Sequence, residues 1–344
     1  MLTLADRLPD GFLDCAAQDL HRLLPGPTLY LLEGRREPAL FVSVVHHGNE
    51  DTGLHAVQSL LRRYRPGGGE QLLPRSLALF VSNVAAARLG ARQLIGQPDY
   101  NRIWPGGEDR ESAEARMMQQ VVDTVRQRGL FASVDVHNNT GLNPHYACVN
   151  RVDDSFFQLA TLFGRTVVYF IQPTGVQSMA MAGLCPAVTL ECGQVGQLLG
   201  VDHAERFLDA CLHLAEIPAH PVAAHDMDLF HTVAVVRIPE RVPVGLDTTE
   251  QGLHLVHDLD HLNFRELPTG TQFGWVRCDN EASVVAHDEL GHDVTDDYFV
   301  VDDGRLLTRQ PVMPSMLTLD TGIIRQDCLC YLMERVEPAQ LTPP

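Results

Sequence analysis

Lysine is missing from this chain. All 26 basic residues among the 344 are arginine, and 44 acidic residues leave a formal net charge of −18. Without lysine, the chain can use neither a lysine nucleophile nor a lysine Schiff base. The strongly negative charge argues against a nucleic-acid-binding surface. We therefore expect no nucleic-acid partner.

Long apolar runs and closely paired cysteines are also lacking. No stretch approaches the roughly 18 uninterrupted apolar residues that a membrane span requires. The first residues show no basic segment followed by an apolar one, which is the pattern of a secretion signal. The eight cysteines include no Cys-x-x-Cys pair, which argues against a structural zinc site. We therefore expect a cytoplasmic protein with no membrane partner.

A strand-to-helix junction at residues 44–50 holds the first candidate for chemistry. Residues 39–45 are apolar, as in a buried strand, and residues 54–61 have helical spacing of leucine and valine. His47 and Glu50 fall between them, at the sheet edge where open α/β folds bind ligands. A histidine and a carboxylate three residues apart can bind one zinc ion. Because His-x-x-Glu is common by chance, a hydrogen-bonded histidine is an equally good interpretation of His47 alone.

A second apolar strand, residues 130–136, leads into His137 in the same way. His47, Glu50 and His137 together would give zinc three protein ligands and leave one position open, as catalytic zinc sites require. We therefore predict a single Zn²⁺ ion per chain, held by these three residues.

Two further stretches complete a set of motifs. Asp-Tyr-Asn-Arg stands at residues 99–102 and Thr-Leu-Glu-Cys-Gly at residues 189–193. With His-Gly-Asn-Glu at residues 47–50 and Asp-Val-His-Asn at residues 135–138, the chain resembles the succinylglutamate desuccinylase/aspartoacylase family, a branch of the zinc carboxypeptidases. The four motifs span about residues 40–195, and a fainter likeness at residues 262–271 extends into the C-terminal part.

The resemblance implies roles for individual residues. Glu191 would be the general base, taking a proton from a zinc-activated water and passing it to the leaving nitrogen. Arg92, or alternatively Arg88, would face the substrate carbonyl, although both could equally be solvated helix charges. Asn101 and Arg102 would grip a substrate carboxylate, a task that suits the planar guanidinium group.

The function implied is that of a zinc-dependent amidohydrolase, cleaving the amide of a small N-acyl amino acid or similar carboxylate substrate. The alternatives are a metallocarboxypeptidase acting on peptides and a non-catalytic zinc- or carboxylate-binding protein on the same scaffold. Glu191 favours an enzyme, since a binding protein would not need that base.

A missing arginine limits which side chains we expect the substrate to carry. The aspartoacylase branch has a further arginine about ten residues before its catalytic glutamate, but residues 178–183 contain none. Met179 and Met181 stand there instead, which suggests either a less polar pocket or ordinary core. We expect N-acyl derivatives of neutral or aromatic amino acids to be better substrates than N-acetylaspartate.

Alternating strands and helices predict an α/β fold, and the resemblance implies a zinc-carboxypeptidase-like mixed sheet flanked by helices. More locally, we predict a hairpin between strands 28–32 and 40–45 and a glycine turn at residues 66–69. Short β-like runs, of which residues 322–327 are the last, follow a linker at residues 217–221. We predict a catalytic domain over residues 1–221 and a smaller β-rich domain over residues 222–344. A homo-oligomer is compatible with the sequence.

Overall fold

The computed structural model describes residues 1–64, 72–246, 252–277 and 283–341. The glycine turn predicted at residues 66–69 and Cys278 lie outside these ranges. The helices are α1 (Thr52–Arg62), α2 (Val84–Ala87), α3 (Ala113–Arg128), α4 (Asp154–Phe163), α5 (Gln177–Ala182), α6 (Leu198–His213), α7 (Thr295–Tyr298) and α8 (Thr321–Gln326).

The strands of the main sheet are β1 (Thr3–Ala5), β2 (Thr28–Leu32), β3 (Ala39–Val44), β4 (Leu77–Val81), β5 (Leu130–Asn139), β6 (Tyr146–Val149), β7 (Thr166–Tyr169), β8 (Ala187–Gln194), β9 (Asp228–Arg237), β13 (Val285–Asp288), β16 (Met313–Ser315) and β17 (Cys330–Arg335). Those of the second sheet are β10 (Val244–Gly245), β11 (Gly252–Leu255), β12 (Gln272–Arg277), β14 (Phe299–Asp302) and β15 (Arg305–Thr308).

The main sheet is mixed, with the order β1-β2-β4-β3-β5-β8-β6-β7-β9-β17-β16, and β13 pairs with β9. At its centre, β4, β3, β5 and β8 run parallel to one another. Their residues are almost all buried, as expected where helices cover both faces of a parallel sheet. The carboxyl ends of four strands therefore meet along one edge.

The hairpin predicted between β2 and β3 is wrong. β4 lies between them, antiparallel to β2 and parallel to β3. The connection at residues 33–38 lacks a two-residue turn such as Asn-Gly, which would fix a hairpin register locally. The apolar strand β4 instead fills the gap and gives both neighbours backbone partners.

Helices α3 and α4 begin where the sequence gives both a side-chain cap and an apolar face. The Ser112 hydroxyl accepts a hydrogen bond from the Ala115 N–H at the start of α3, which stabilises a free helix end. The helix ends at Gly129, whose positive φ of 72° suits glycine. Helices α1, α4 and α6 pack against the main sheet, and α6 contacts both α1 and α4, so the three form part of one layer.

The second sheet has the order β10-β11-β12-β15-β14, and its Leu253, Phe273 and Leu306 belong to an apolar core that also includes Val236 and Leu332 of the main sheet. The predicted α/β class, with a mixed sheet, flanking helices and a smaller second sheet, is confirmed. The main sheet also contains β9, β13, β16 and β17, which follow residue 221. The domain boundary at residues 221–222 stays a prediction.

One predicted β-like run is helical. Residues 322–327 form most of α8 and its C-terminal cap. The Asp320 carboxylate accepts hydrogen bonds from the Gly322 and Ile323 N–H groups, and this N-cap starts a helix. Among the described residues, no helix is both long and apolar enough to cross a membrane.

Candidate active site

The candidate site lies at the carboxyl ends of the central parallel strands. His137 on β5 is the register partner of Glu191 on β8, and Tyr146 on β6 pairs with Glu191 from the other side. Both β5 and β8 continue beyond these residues, so His137 and Glu191 lie within strands and not in the turns after them. Strand pairing thus places a histidine, a carboxylate and a phenol side by side.

The loop after β3 places His47 next to His137. Val45 has a φ of 61°, unusual for a β-branched residue, and turns the chain away from the strand. Gly48 then packs against α2, where an added Cβ would lie 2.2 Å from the Ala86 carbonyl carbon. The Gly48 N–H also donates to the Arg92 carbonyl oxygen at 3.1 Å. Glycine is therefore required here by close backbone approach.

The predicted ligands come together around the carboxylate of Glu50. Its Oε1 lies 2.8 Å from His47 Nδ1, and its Oε2 lies 2.8 Å from His137 Nδ1. All three side chains are buried. Their ligand atoms lie within 4.8 Å of one another, close enough to share a metal ion.

The far ring nitrogens of both histidines face other carboxylates. His47 Nε2 lies 3.1 Å from Asp99 Oδ1, and His137 Nε2 lies 2.8 Å from Asp135 Oδ2. Such partners hold the proton on Nε2 and direct the Nδ1 lone pair towards a metal. Asn101 Nδ2 also lies 3.2 Å from His137 Nε2. The donor set of one carboxylate and two oriented imidazoles fits zinc.

A second group of potential ligands, His46, Asp135 and His137, overlaps the first. Asp135 already accepts a hydrogen bond from the Ser43 hydroxyl at 2.7 Å and contacts His46 Nδ1 at 2.9 Å. Asp135 therefore supports His137 through Nε2, and His47, Glu50 and His137 stay the predicted ligand set. The position of Asp135 beside His137 could have been predicted from the sequence, because residues two apart in a strand point to the same face.

The charges in this buried cluster shift one another's pKa values. Burial by itself raises the pKa of Glu50, but the adjacent His47 and His137 outweigh it and hold that pKa well below its usual range. Burial by itself lowers the pKa of His137, but Asp135 and Glu50 raise it well above its ordinary value. The cluster therefore favours the charged carboxylates, which are the form that binds metal.

Glu191 lies in a different electrostatic setting from Glu50. Burial raises its pKa to about 8, with His137 opposing this rise and the Glu50 charge adding to it. Its Oε2 accepts a hydrogen bond from the Asn139 side-chain amide. A carboxyl group with a pKa near neutrality can both accept and donate a proton. The adjacent Cys192 is buried, and burial raises the pKa of its thiol well above the usual value, so it carries no reactive thiolate.

Of the two arginines considered for the carbonyl, only Arg92 is brought to the site. Arg92 Nη2 donates to Asp99 Oδ2 at 3.0 Å, and its Nη1 lies 3.8 Å from Glu50 Oε1. Arg88, in contrast, is exposed. The Arg92 side chain is 9% exposed and reaches the cavity between the histidines and Arg102.

Asn101 and Arg102, the predicted carboxylate-binding pair, both line the cavity, and both have partners within the protein. Asn101 Oδ1 accepts a hydrogen bond from the Gln177 N–H at 3.0 Å. Arg102 Nη1 donates to the Asn101 carbonyl oxygen at 2.8 Å, and Nη2 donates to Asp327 Oδ1 at 2.9 Å. Asp327, which follows α8, gives no signal in the sequence because its partners are 225 and 235 residues away.

The rest of the cavity wall is uncharged. Apart from the residues described above, its lining consists mainly of apolar and neutral side chains, including Cys148, Val168, Phe170, Val176, Met316 and Tyr331. Met179 and Met181 are not part of the described lining, and Met181 belongs to the main core. Met181 is therefore ordinary core, and the preference for neutral or aromatic substrates stays a prediction.

Comparison with known proteins gives a consistent picture. The sequence matches the model of the succinylglutamate desuccinylase/aspartoacylase catalytic domain over residues 36–217. No curated protein matches the chain in sequence.

Several solved structures share the fold. A succinylglutamate desuccinylase from Chromobacterium violaceum has a TM-score of 0.58 and 16% identity, with 88% of this chain and 86% of that one covered. A succinylglutamate desuccinylase/aspartoacylase from Rhodobacter sphaeroides has a TM-score of 0.57 and 17% identity, covering 89% and 88%. Murine aminoacylase 3 has a TM-score of 0.52 and 14% identity, covering 88% and 97%.

Proposed function

This chain belongs to the succinylglutamate desuccinylase/aspartoacylase family, and we propose that it hydrolyses the amide bond of a small N-acyl amino acid. The observation that carries this proposal is the buried set of His47, Glu50 and His137 beside the buried carboxyl group of Glu191. The names of its structural neighbours, which include desuccinylases and an aminoacylase, support the same reaction class.

His47, Glu50 and His137 would hold one zinc ion, because both imidazoles present Nδ1 to the Glu50 carboxylate while acidic partners face Nε2. A zinc ion held there would supply Lewis acidity for the amide carbonyl and would make water acidic enough to lose a proton near neutral pH. The remaining chemistry belongs to the side chains of the chain itself.

Glu191 acts as the proton carrier. Its carboxylate takes the proton of the attacking water, and its acid form delivers that proton to the departing nitrogen. Burial and the nearby Glu50 charge make Glu191 a stronger base than an exposed glutamate. The Asn139 amide holds one carboxylate oxygen and fixes the direction of the group.

Arg92 stabilises the negative charge that develops on the carbonyl oxygen. Its guanidinium is buried and fixed by Asp99, so it needs little reorganisation during the reaction. Asn101 and Arg102 orient the substrate at its carboxylate end. Because no other arginine lines the described cavity, a second substrate carboxylate finds no dedicated partner, and the apolar wall favours neutral or aromatic side chains.

The test is a substrate screen with the zinc-loaded protein. N-acetyl-leucine and N-acetylphenylalanine should be hydrolysed with higher kcat/KM than N-acetylaspartate and N-succinylglutamate. Cleavage of C-terminal residues from peptides, without deacylation, would show a carboxypeptidase instead. Zinc and ligand binding without turnover of any of these compounds would show a binding protein and contradict the proposal.

A further inference from the structure

A carboxylate of the protein itself occupies the place where a substrate carboxylate would be gripped. Asp327 Oδ1 accepts from Arg102 Nη2 at 2.9 Å, and Asp327 Oδ2 lies 3.4 Å from Arg92 Nη2. We propose that Asp327 is a specificity-determining residue that makes a substrate carboxylate compete for Arg102. This inference rests on the proposed deacylase function. It identifies what limits the preference of the enzyme for substrates with a free carboxylate.

The positive charges around Arg102 are already compensated within the protein. Arg92 contacts Asp99 and Asp327 and lies 3.8 Å from Glu50, and Arg102 contacts Asp327, so these two guanidinium groups already face three carboxylates. A further carboxylate, from a substrate, would find no uncompensated arginine in the described cavity lining. It would also approach the negative charge of Asp327, and like charges at short range repel strongly in a partly desolvated site.

The position of the Asp327 carboxylate depends mainly on Arg92 and Arg102 and less on contacts near Asp327 in the chain. Asp327 caps the C-terminal end of α8, where a negative charge gains nothing from the helix dipole. Arg237 Nε donates to its backbone carbonyl at 3.3 Å and thus fixes the chain but not the side chain. The side chains of Asp327 and Arg102 are 19% and 26% exposed, so water screens their ion pair only in part.

Two free-energy costs therefore oppose the binding of a substrate carboxylate at Arg102. The Asp327 carboxylate must give up a charge-assisted hydrogen bond, and the incoming carboxylate must approach or replace it. An uncharged amide in the same place meets neither penalty. Arg102 alone would raise kcat/KM for acids above that for their amides. Asp327 should reduce this difference.

The experiment compares N-acetyl-leucine with N-acetyl-leucinamide on the full-length, zinc-loaded protein. Asp327→Asn keeps the shape of the side chain and removes its charge. The ratio of kcat/KM for the acid to that for the amide should rise about ten-fold, the factor that 1.36 kcal/mol represents. The rise should appear mainly as a lower KM for the acid.

Asp320→Asn is the matched control. It removes the same charge from the other end of α8, where the side chain is exposed and where asparagine caps a helix as well as aspartate does. Its acid-to-amide ratio should equal that of the wild type. An unchanged or lower ratio for Asp327→Asn would show that Asp327 only positions Arg102, and it would overturn the proposal.

A double-mutant cycle tests whether the effect passes through Arg102. In an Arg102→Ala background, Asp327→Asn should no longer raise the acid-to-amide ratio. A rise of equal size there would mean that Asp327 acts by some other route. Thermal melts identify variants that fail to fold, and Asp327→Ser provides a second neutral side chain if Asp327→Asn is unstable.

Binding separates this proposal from the proposed function. With Glu191→Gln as a background that should not turn over, calorimetry measures the affinity for N-acetyl-leucine directly. Asp327→Asn should tighten binding of the acid about ten-fold and leave the amide unchanged. If the wild type hydrolyses neither compound, the deacylase function fails, while this measurement still decides the role of Asp327.

Discussion

At the scale of single residues, the site depends on which nitrogen of each histidine faces which carboxylate. Asp99 and Asp135 face the Nε2 atoms of His47 and His137, and Glu50 faces both Nδ1 atoms. This arrangement predicts a specific ligand set, because an imidazole turned the other way would present the wrong atom to the metal.

His47→Ala and His137→Ala should each lose zinc, since each removes one of three protein ligands. Metal analysis of the purified variants gives the answer. His55→Ala is the matched control, because His55 lies on α1 nearby with a partly exposed side chain and should leave zinc content unchanged. Full occupancy in either ligand variant would show that the metal lies elsewhere.

Glu191→Gln should keep the fold and the zinc but lower kcat about 10²- to 10⁴-fold, because an amide cannot accept the proton of water. The variant preserves the shape of a buried side chain and removes an ionisable group whose pKa burial raises. Turnover of N-acetyl-leucine, measured beside a thermal melt, tests this. Retained kcat in a folded variant would point to another base.

At the scale of elements, the loop after β3 and helix α2 fit each other through backbone contact. An added Cβ on Gly48 would meet the Ala86 carbonyl carbon and the Ala87 nitrogen, both at 2.2 Å. Neither group is a flexible side chain that could move aside. The position of His47 therefore depends on how closely two backbone segments approach.

Gly48→Ala should lower the free energy of unfolding by about 1–3 kcal/mol, as overpacking of a buried position does. It should also weaken zinc binding, because the loop that holds His47 and Glu50 must shift. Denaturant unfolding and a chelator competition measure the two effects. Gly183→Ala is the control, since nothing lies within 4 Å of its added Cβ; equal losses in both variants would contradict the argument.

At the scale of the whole molecule, the main sheet passes through both predicted domains, and the second sheet shares an apolar core with strands β9, β13 and β17 of the main sheet. The C-terminal part also supplies Asp327, Met316 and Tyr331 to the cavity wall. The site is thus assembled from distant parts of the chain. The cytoplasmic location and the homo-oligomer stay predictions.

Zinc should raise the Tm of the protein, because a ligand that binds only the folded state stabilises it. Neighbouring carboxylates raise the pKa of His137, so protons compete with zinc, and the gain in Tm should shrink as the pH falls. Thermal melts with zinc and with a chelator, across a pH series, measure this. A gain in Tm of the same size in His137→Ala would show that the stabilising zinc binds at another site.

Local sequence determined much of the fold and the placing of the predicted metal ligands. The apolar patterns on either side of residues 44–50 predicted β3 and α1, and with them the place of His47 and Glu50. The motif around residue 191 likewise predicted a carboxylate at a strand end. These features could be predicted from the sequence because hydrophobic periodicity, helix caps and turns involve residues that are near neighbours in the chain.

Tertiary structure alone decided the strand order and the partners of the charged side chains. The insertion of β4 between β2 and β3 depends on pairing across the sheet, which no local turn specifies. Asp327 meets Arg92 and Arg102 only because α8 folds back against the site from more than 200 residues away. Such contacts depend on which surfaces are buried together, and that is settled by the packing of the whole chain.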